Sequence, residues 1–137
     1  NHIKEFEGGI LIFDYGPFKK GNVDTLQAIY KSKKCNLFDY PFRCDITYHV
    51  DFEMITNLAK SKKLYTFGPI TQKNFLFFHG INERVAHLSK HAKSNRIKLN
   101  LQKQFERLTS PDGIGNLIKC MFVSSYDIES KIFKKNE

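Results

Sequence analysis

The chain has 137 residues, of which 41% are hydrophobic and 14% aromatic, and its formal net charge is +8. This length allows one domain with a peripheral extension and excludes two full domains. The apolar content is enough for a core, which excludes wholesale disorder, and the longest apolar runs are far too short to cross a membrane. Because the sequence begins with Asn1 and has no charged-then-apolar leader, we expect any targeting segment to lie outside it. A soluble globular protein without a membrane partner is predicted.

The positive charge is concentrated in one segment. Residues 60–107 hold eleven Lys or Arg against two Glu, a net charge of +9, so the remaining 89 positions sum to −1. A block of one sign favours a polyanionic partner, most commonly RNA or DNA. An acidic membrane or protein, or a basic face that only confers solubility, are the other interpretations.

The three cysteines predict neither a disulfide framework nor a zinc site. Cys35, Cys44 and Cys120 are odd in number and none belongs to a Cys-x-x-Cys pair. A reduced compartment is the simpler interpretation.

Residues 1–41 are predicted to form an N-terminal extension whose role is open. Ile10 to Phe13 is a short apolar run between glycines, typical of a strand. Apolar residues from Val23 to Tyr30 recur at helical spacing after Asn22, a possible N-cap. The extension is thus expected to hold a strand followed by a short helix.

The domain proper is predicted to begin at Phe42. Residues 42–50 alternate strictly between apolar and polar, which indicates a half-buried strand. Asp51 is the expected N-cap of a helix over 52–63, with Glu53 in its first turn, where negative charge complements the helix dipole. Residues 64–71 and 74–79 are aromatic and apolar and predict two strands, or one strand bent near Gly68-Pro69.

The second half is ambiguous over residues 80–102. A basic loop or turn of helix is expected up to about Asn95, followed by a strand through Leu101 and a short helix over 102–109. Ser110-Pro-Asp-Gly113 has the residues of a β-turn. A last strand over 117–123 and a C-terminal helix capped by Ser124 or Ser125 complete the chain. The order from residue 42 predicts an α+β fold, a ferredoxin-like βαββαβ sandwich with a long basic hairpin.

Several motifs of this segment match one family. They are Met54-Ile-Thr-Asn-Leu-Ala-Lys60, Phe67-Gly-Pro-Ile70, Asn74 to Phe78, Ile81-Asn82 with Arg84, Lys93-Ser-Asn-Arg-Ile97 and Phe105-Glu-Arg-Leu108 before Gly113. In these motifs the chain resembles the small-subunit ribosomal protein ten family. The resemblance covers about 80 residues. Residues 1–41 have no counterpart in that family, and Thr71-Gln72 stands where it has Pro-Leu-Pro.

The resemblance implies a structural role in a ribosome, with ribosomal RNA and neighbouring small-subunit proteins as partners. As a divergent, organellar member of this family the chain would be mitochondrial, with a cytoplasmic or viral location as the alternative; the lysine-rich composition is found in organelles, some protists and some viruses alike. No catalysis, cofactor, metal or small-molecule substrate is expected. The hairpin would turn at Gly68 and Pro69, and its RNA-binding residues would be Lys73, Arg84, Lys90, Lys93, Arg96 and Lys98.

Two alternatives remain. The passage from Leu76 to Asn100, with Ser125 to Ile128, is similar to DNA polymerase beta-like nucleotidyltransferases. That chemistry needs an Asp-x-Asp pair for two metal ions, which is absent, and Asp45 alone cannot replace it. The other alternative is a nucleic-acid-binding accessory protein of a virus or transcription complex.

Three smaller groups have ordinary explanations. His87 and His91 are four apart, as in zinc pairs, but lysines beside them and the missing glutamate favour structural or RNA-contacting histidines. Asp51 and Glu53 are better explained as helix-capping residues than as an acid–base pair. Most of the aromatic residues between Tyr65 and Phe78 are expected in the core, although stacking on bases is possible.

Overall fold

The computed structural model describes residues 2–133, which contain six helices and six strands. The helices are α1 (His2–Phe6), α2 (Phe52–Ser61), α3 (Gln72–Phe78), α4 (Ile81–Lys90), α5 (Asn95–Thr109) and α6 (Ile114–Leu117). The strands are β1 (Gly9–Tyr15), β2 (Gln27–Tyr30), β3 (Lys33–Cys35), β4 (Asp45–Thr47), β5 (Tyr65–Thr71) and β6 (Ile118–Ser124).

The strands form two separate sheets of three. The first sheet has the order β1-β6-β5 and the second has the order β3-β2-β4, and every pair is antiparallel. In the first sheet, β1 pairs with β6 over seven residues, from Gly9 opposite Ser124 to Tyr15 opposite Ile118. Because β1 and β5 both run antiparallel to β6, they run parallel to each other.

The core lies on the first sheet. Phe67, Cys120 and Met121 are each at most 1% exposed. Phe75 of α3 packs from above, with its ring 4.9 Å from the ring of Phe13 and 6.0 Å from that of Phe133. These contacts join β1, α3 and the C-terminal segment around Phe133. Of the aromatic residues expected largely in the core, Phe67 is buried and Phe75 and Phe77 are half-buried, whereas Tyr65 and Phe78 are exposed.

Local signals set the helix starts. The Asp51 carboxylate accepts a hydrogen bond from the Met54 N–H at 2.9 Å, which confirms the predicted cap of α2. Thr71 caps α3 by accepting from the Asn74 N–H at 3.2 Å, and Ser94 caps α5 by accepting from the Ile97 N–H at 3.3 Å. The strands predicted over 64–71 and 117–123 and the turn at 110–113 are also confirmed.

The predicted basic hairpin is wrong. Residues 74–79, expected as a strand, lie in α3 and the turn after it, and residues 96–101, also expected as a strand, lie within α5. The order from residue 42 is therefore β4, α2, β5, α3, α4, α5, α6, β6, which differs from the ferredoxin-like βαββαβ order. The physical reason is the pair of caps at Thr71 and Ser94, which start the helices α3 and α5 where strands were expected.

The predicted boundary at residue 41 is crossed by both sheets. β1 pairs with β6, and β2 pairs with β4, so residues 1–41 are not a separate extension over these strands. The helix expected near Val23 to Tyr30 is wrong, because residues 27–30 form β2. The strand expected over 42–50 is reduced to the three residues of β4.

Residues 125–133, expected as a C-terminal helix, contain bends and irregular backbone, and the rest of that predicted helix lies outside the described residues. Between residues 2 and 133, no helix combines the length and the apolar character needed to span a membrane.

Candidate functional site at the carboxyl ends of β1 and β5

The two outer strands of the first sheet end at the same edge. β1 ends at Tyr15 and β5 ends at Thr71, while β6 begins between them at Ile118. In open sheets that contain parallel strands, ligands bind outside the carboxyl ends of those strands. The register places Asp14, Lys119 and Thr71 opposite one another across the three strands. This edge is therefore the candidate site.

The Gly16-Pro17 turn after β1 is held from two sides. The Val50 N–H donates to the Tyr15 carbonyl at 2.7 Å, and the Gly16 N–H donates to the Leu117 carbonyl at 3.2 Å. A Cβ atom at Gly16 would collide with the carbonyl oxygen of Val50. Glycine is required here because two backbone segments approach more closely than a side chain permits.

Two cavities adjoin this turn and share Pro17. One has a volume of about 300 Å³ and lies between the loop after β1 and the segment leading into α2. The other has a volume of about 470 Å³ and lies between the turn and the segment from Pro111 to Lys119. Polar and charged groups line both, namely Lys19, Lys20, Thr25, Tyr48, His49 and Asp51 in the first, and Asp112, Asn116 and Lys119 in the second.

Lys119 is a buried cation at this edge. Its residue is 5% exposed, its ammonium donates to the carbonyl oxygens of Asn116 and Leu117, and Nζ lies 4.8 Å above the Phe18 ring. Over residues 2–133 no carboxylate forms an ion pair with it. Burial lowers the pKa of Lys119, since the charged form loses hydration. A buried charge without a counter-charge is costly, and such groups concentrate at functional sites.

Two carboxylates at this edge have different surroundings. Asp51 caps α2 and lies 3.4 Å from Nζ of Lys20, and the Met54 N–H, followed by Lys20, lowers the pKa of Asp51. Asp14 is half-buried and accepts a hydrogen bond from the Tyr15 N–H at 2.8 Å. Within the described part of the chain, Asp14 forms no ion pair.

The basic residues predicted to bind RNA lie on the helical segment instead. Lys73 is in α3, with Nζ 6.0 Å from the centre of the Phe77 ring. The others are exposed on α4, α5 and the loop between these helices, and they are Arg84, Lys90, Lys93, Arg96 and Lys98. They share no strand or hairpin.

The predicted hairpin turn and the histidine pair also have other roles. Gly68 and Pro69 lie inside β5, where the register with β6 shifts between Phe67 and Ile70 and Gly68 has a φ of 89°. The ring centres of His87 and His91 are 4.5 Å apart, and Nδ1 of His91 is 2.8 Å from the His87 carbonyl oxygen. From residue 2 to residue 133, no three metal-ligating side chains form a cluster.

Residues 1–70, about half of the chain, match the family model Methyltransf_28, described as "Putative S-adenosyl-L-methionine-dependent methyltransferase". The chain belongs to this methyltransferase family.

Curated relatives carry a more specific name. The chain is 29% identical over 108 residues to protein arginine methyltransferase NDUFAF7, mitochondrial, of Rattus norvegicus, covering 79% of this chain and 24% of the relative. It is 31% identical over 108 residues to the Mus musculus protein, with the same coverage of 79% and 24%. The Caenorhabditis elegans homolog is 27% identical over 114 residues, covering 83% and 26%. The chain spans about a quarter of the length of these relatives.

Two solved structures share the fold. An uncharacterized protein of Burkholderia thailandensis superposes with a TM-score of 0.80 at 22% identity, covering 93% of this chain and 37% of that one. A second chain from the same organism, bound to S-adenosyl-homocysteine, has a TM-score of 0.77 at 23% identity and covers 93% and 35%.

These findings correct the functional predictions. The resemblance to the ribosomal family is wrong, and so are the structural role in the ribosome and ribosomal RNA and ribosomal proteins as partners. The prediction that the chain is not part of an enzyme is wrong, because its family is one of methyltransferases. The prediction of no small-molecule substrate is wrong for the same reason, since the family description includes S-adenosyl-L-methionine. The mitochondrial prediction agrees with the names of the curated relatives.

S-adenosyl-L-methionine does not fit residues 2–133 on their own. A doubly wound sheet binds such a cofactor at a glycine-rich turn between a strand and the helix of a parallel unit. Every strand pair among the described residues is antiparallel, and the sequence has no Gly-x-Gly-x-x-Gly. The site at β1 and β5 is therefore an edge that can border a cofactor but does not enclose one.

Sequence reasoning missed this edge. The signal was present in Asp14-Tyr-Gly-Pro17, where an apolar strand ends in a carboxylate, a glycine and a proline. Lys119 carried no such signal, because a lysine at the start of a strand usually points to solvent.

Proposed function

We propose that this chain is part of a mitochondrial S-adenosyl-L-methionine-dependent methyltransferase that modifies arginine side chains of proteins. The observation that carries the proposal is the family match over residues 1–70. The arginine specificity and the mitochondrial location are supported by the names of the curated relatives.

In this proposal β1 belongs to a larger sheet. The run Ile10-Leu-Ile-Phe13 is apolar on both faces, and Ile10, Leu11 and Phe13 are 48%, 46% and 43% exposed. Continuous apolar strands of this kind are typical of α/β sheets covered on both faces. In residues 2–133 the outer edge of β1 has no partner strand. A further strand paired there, with helices on both faces, would cover these side chains and bring the cofactor-binding part of the sheet beside Tyr15.

Asp14 is the residue of this edge best suited to the target arginine. A guanidinium group binds carboxylates through two parallel hydrogen bonds. Asp51 already caps α2 and contacts Lys20, whereas Asp14 forms no ion pair among the described residues. Asp14 would therefore orient the guanidinium for methyl transfer.

In the test, the full-length protein is incubated with S-adenosyl-L-methionine and with mitochondrial proteins from cells that lack the full-length protein. Mass spectrometry should show S-adenosyl-homocysteine release and new methylation on arginine. No methylation, or methylation confined to lysine, would contradict the proposed function.

The role of Asp14 is tested separately with Asp14→Asn. The change should lower the rate of methylation at least about tenfold, equivalent to about 1.4 kcal/mol of transition-state binding. Asp45→Asn is the matched control, because Asp45 is exposed in the second sheet. Full activity of Asp14→Asn would contradict this residue's role and leave the proposed function standing.

The mitochondrial location is tested by cell fractionation with the full-length protein at its native level. Co-purification with matrix or inner-membrane markers is expected, and recovery in the cytosol alone would contradict the proposal.

A further inference from the structure

The second sheet carries a cationic cavity at the tip of the β2–β3 hairpin. The cavity has a volume of about 860 Å³, and its lining residues include Lys31, Lys33 and Lys34. All three lysines are exposed, and none forms an ion pair with a carboxylate of residues 2–133. Among the described residues, Asp39 is the one carboxylate in the cavity wall, and it accepts a hydrogen bond from the Asn36 N–H at 3.2 Å. Positive charge therefore dominates this cavity and favours an anionic occupant.

A tight turn and a pair of stacked rings form part of the cavity wall. The turn residues Lys31 and Ser32 have φ angles of 48° and 63°, the positive values that a two-residue hairpin turn needs. Nζ of Lys31 lies 5.3 Å from the centre of the Tyr30 ring. The Tyr40 ring, from the loop after β3, stacks on the Tyr30 ring with centres 4.2 Å apart. The charges are thus carried by a preformed wall, which lowers the entropy lost on binding.

A row of cavities joins the cationic cavity to the candidate site. A cavity of about 310 Å³ shares Lys34 with the cationic cavity. It shares Thr25 and His49 with the cavity of about 300 Å³ that adjoins Pro17. The His49 N–H donates to the Thr25 hydroxyl at 3.1 Å, which fixes the backbone where the two smaller cavities meet. The three cavities therefore form a continuous groove from the turn after β1 to the tip of the hairpin.

We propose that this groove docks the protein substrate and that the cationic cavity binds glutamate or aspartate side chains near the target arginine. The inference rests on the proposed function, in which the arginine binds at Asp14. Gln27 and Tyr30, at the two ends of β2, line successive cavities and are about 10 Å apart, the length of about three extended residues. The acidic residues of an extended substrate therefore lie more than about three positions from its arginine.

A peptide matches the charges of the groove better than a nucleic acid does. The two smaller cavities contain both signs, with Asp24 and Asp51 as well as Lys19 and Lys20, whereas lysines dominate the cavity at the hairpin tip. A nucleic acid carries a phosphate at every step and would place phosphates against Asp24 and Asp51. A peptide with an arginine at one point and carboxylates a few residues away has opposite charges at the two ends of the groove.

The first experiment measures the binding of two dye-labelled peptides to the full-length protein by fluorescence anisotropy. Each peptide has one arginine flanked on both sides by four glycines and then by three glutamates, or by three glutamines in the second peptide. The glutamate peptide should bind about threefold to tenfold more tightly, because several exposed ion pairs each contribute a small amount. The difference should shrink at high salt. Equal affinities for the two peptides would overturn the proposal.

Charge substitutions locate the binding site. Lys31→Gln with Lys33→Gln should lower the affinity for the glutamate peptide to nearly that for the glutamine peptide and leave the glutamine peptide unaffected. Lys98→Gln with Lys103→Gln on α5 is the matched control, because it removes the same charge from exposed lysines that do not line the groove. If the control weakens binding of the glutamate peptide as much as the cavity variant does, the effect is one of net charge and the docking site is wrong.

Competition separates a peptide site from a nucleic-acid site. Unlabelled glutamate peptide should displace the labelled peptide at a lower concentration than a single-stranded RNA of equal charge does, and the reverse order would overturn the proposal. Because these experiments measure binding, their outcome is distinct from that of the methylation assay. Arginine methylation without a preference for the glutamate peptide would remove the docking groove and leave the proposed function standing.

Discussion

Both sheets of this chain consist of three antiparallel strands, but they differ in the length of the strand pairing and in how deeply their side chains are buried. The first sheet pairs β1 with β6 over seven residues and holds Phe67, Cys120 and Met121 almost fully buried. The second sheet pairs over three residues on each side of β2, and Ile46 of β4 is 62% exposed. The same residue type therefore has different chemistry in the two, since Cys120 is buried and inert while Cys35 faces a cavity.

The largest expected difference between the two sheets is in the stability lost when an apolar side chain is shortened to alanine. Phe67→Ala should lower the free energy of unfolding by about 3–5 kcal/mol, because a fully buried ring leaves a cavity. Ile46→Ala in the second sheet should change it by less than about 0.5 kcal/mol, because the side chain is mostly exposed. Urea denaturation of both variants measures the difference, and similar losses would show that the second sheet is as tightly packed as the first.

A smaller effect is expected at the connection between the sheets. Gly16→Ala should lower the free energy of unfolding by about 1–3 kcal/mol, because its Cβ would force the Tyr15–Val50 contact apart. Gly21→Ala is the matched control, since no heavy atom lies within 4 Å of a Cβ there. If the two variants unfold at the same urea concentration, the close approach of the Val50 carbonyl does not restrict residue 16 to glycine.

The smallest of the three effects is expected at the start of α2. Asp51→Ala removes the acceptor for the Met54 N–H and should lower the melting temperature less than Gly16→Ala does. Because the pKa of Asp51 is lowered in the folded state, its contribution is present above the ordinary Asp pKa and is lost as pH falls through the folded value. The difference in melting temperature between the wild type and Asp51→Ala should therefore disappear at acid pH. A difference that does not change with pH would show that the charge of Asp51 is not its cause. Asp45→Ala should show no such difference.

The helices and strands that are marked by a short sequence pattern, such as a cap or an apolar run, could be predicted from the sequence. The Asp51 cap and the apolar spacing after it gave α2, and compact apolar runs gave β5 and β6. The segment from 94 to 101 misled because Ile97, Leu99 and Leu101 alternate as in a strand. In the structure Ile97 and Leu99 are 44% and 55% exposed, whereas Leu101 and Phe105 are half-buried, so the alternating apolar residues do not mark one buried face.

The candidate site could not be predicted in the same way. Asp14, Lys119 and Thr71 are separated by dozens of residues and meet only through the register of β6 with its neighbours. The charge excess of residues 60–107 pointed to RNA because it was counted along the chain, whereas α4 and α5 spread these charges over exposed helical faces. Composition records the amount of charge and not its arrangement in space.

The pairing of β1 with β6 has a consequence for the synthesis of the protein. Gly9 pairs with Ser124 and Tyr15 with Ile118, so β1 leaves the ribosome more than a hundred residues before its partner is made. Contacts this distant in sequence close slowly, and during the delay an apolar strand remains exposed. A nascent chain that stops before residue 118 should therefore be prone to aggregation through the exposed run Ile10-Leu-Ile-Phe13.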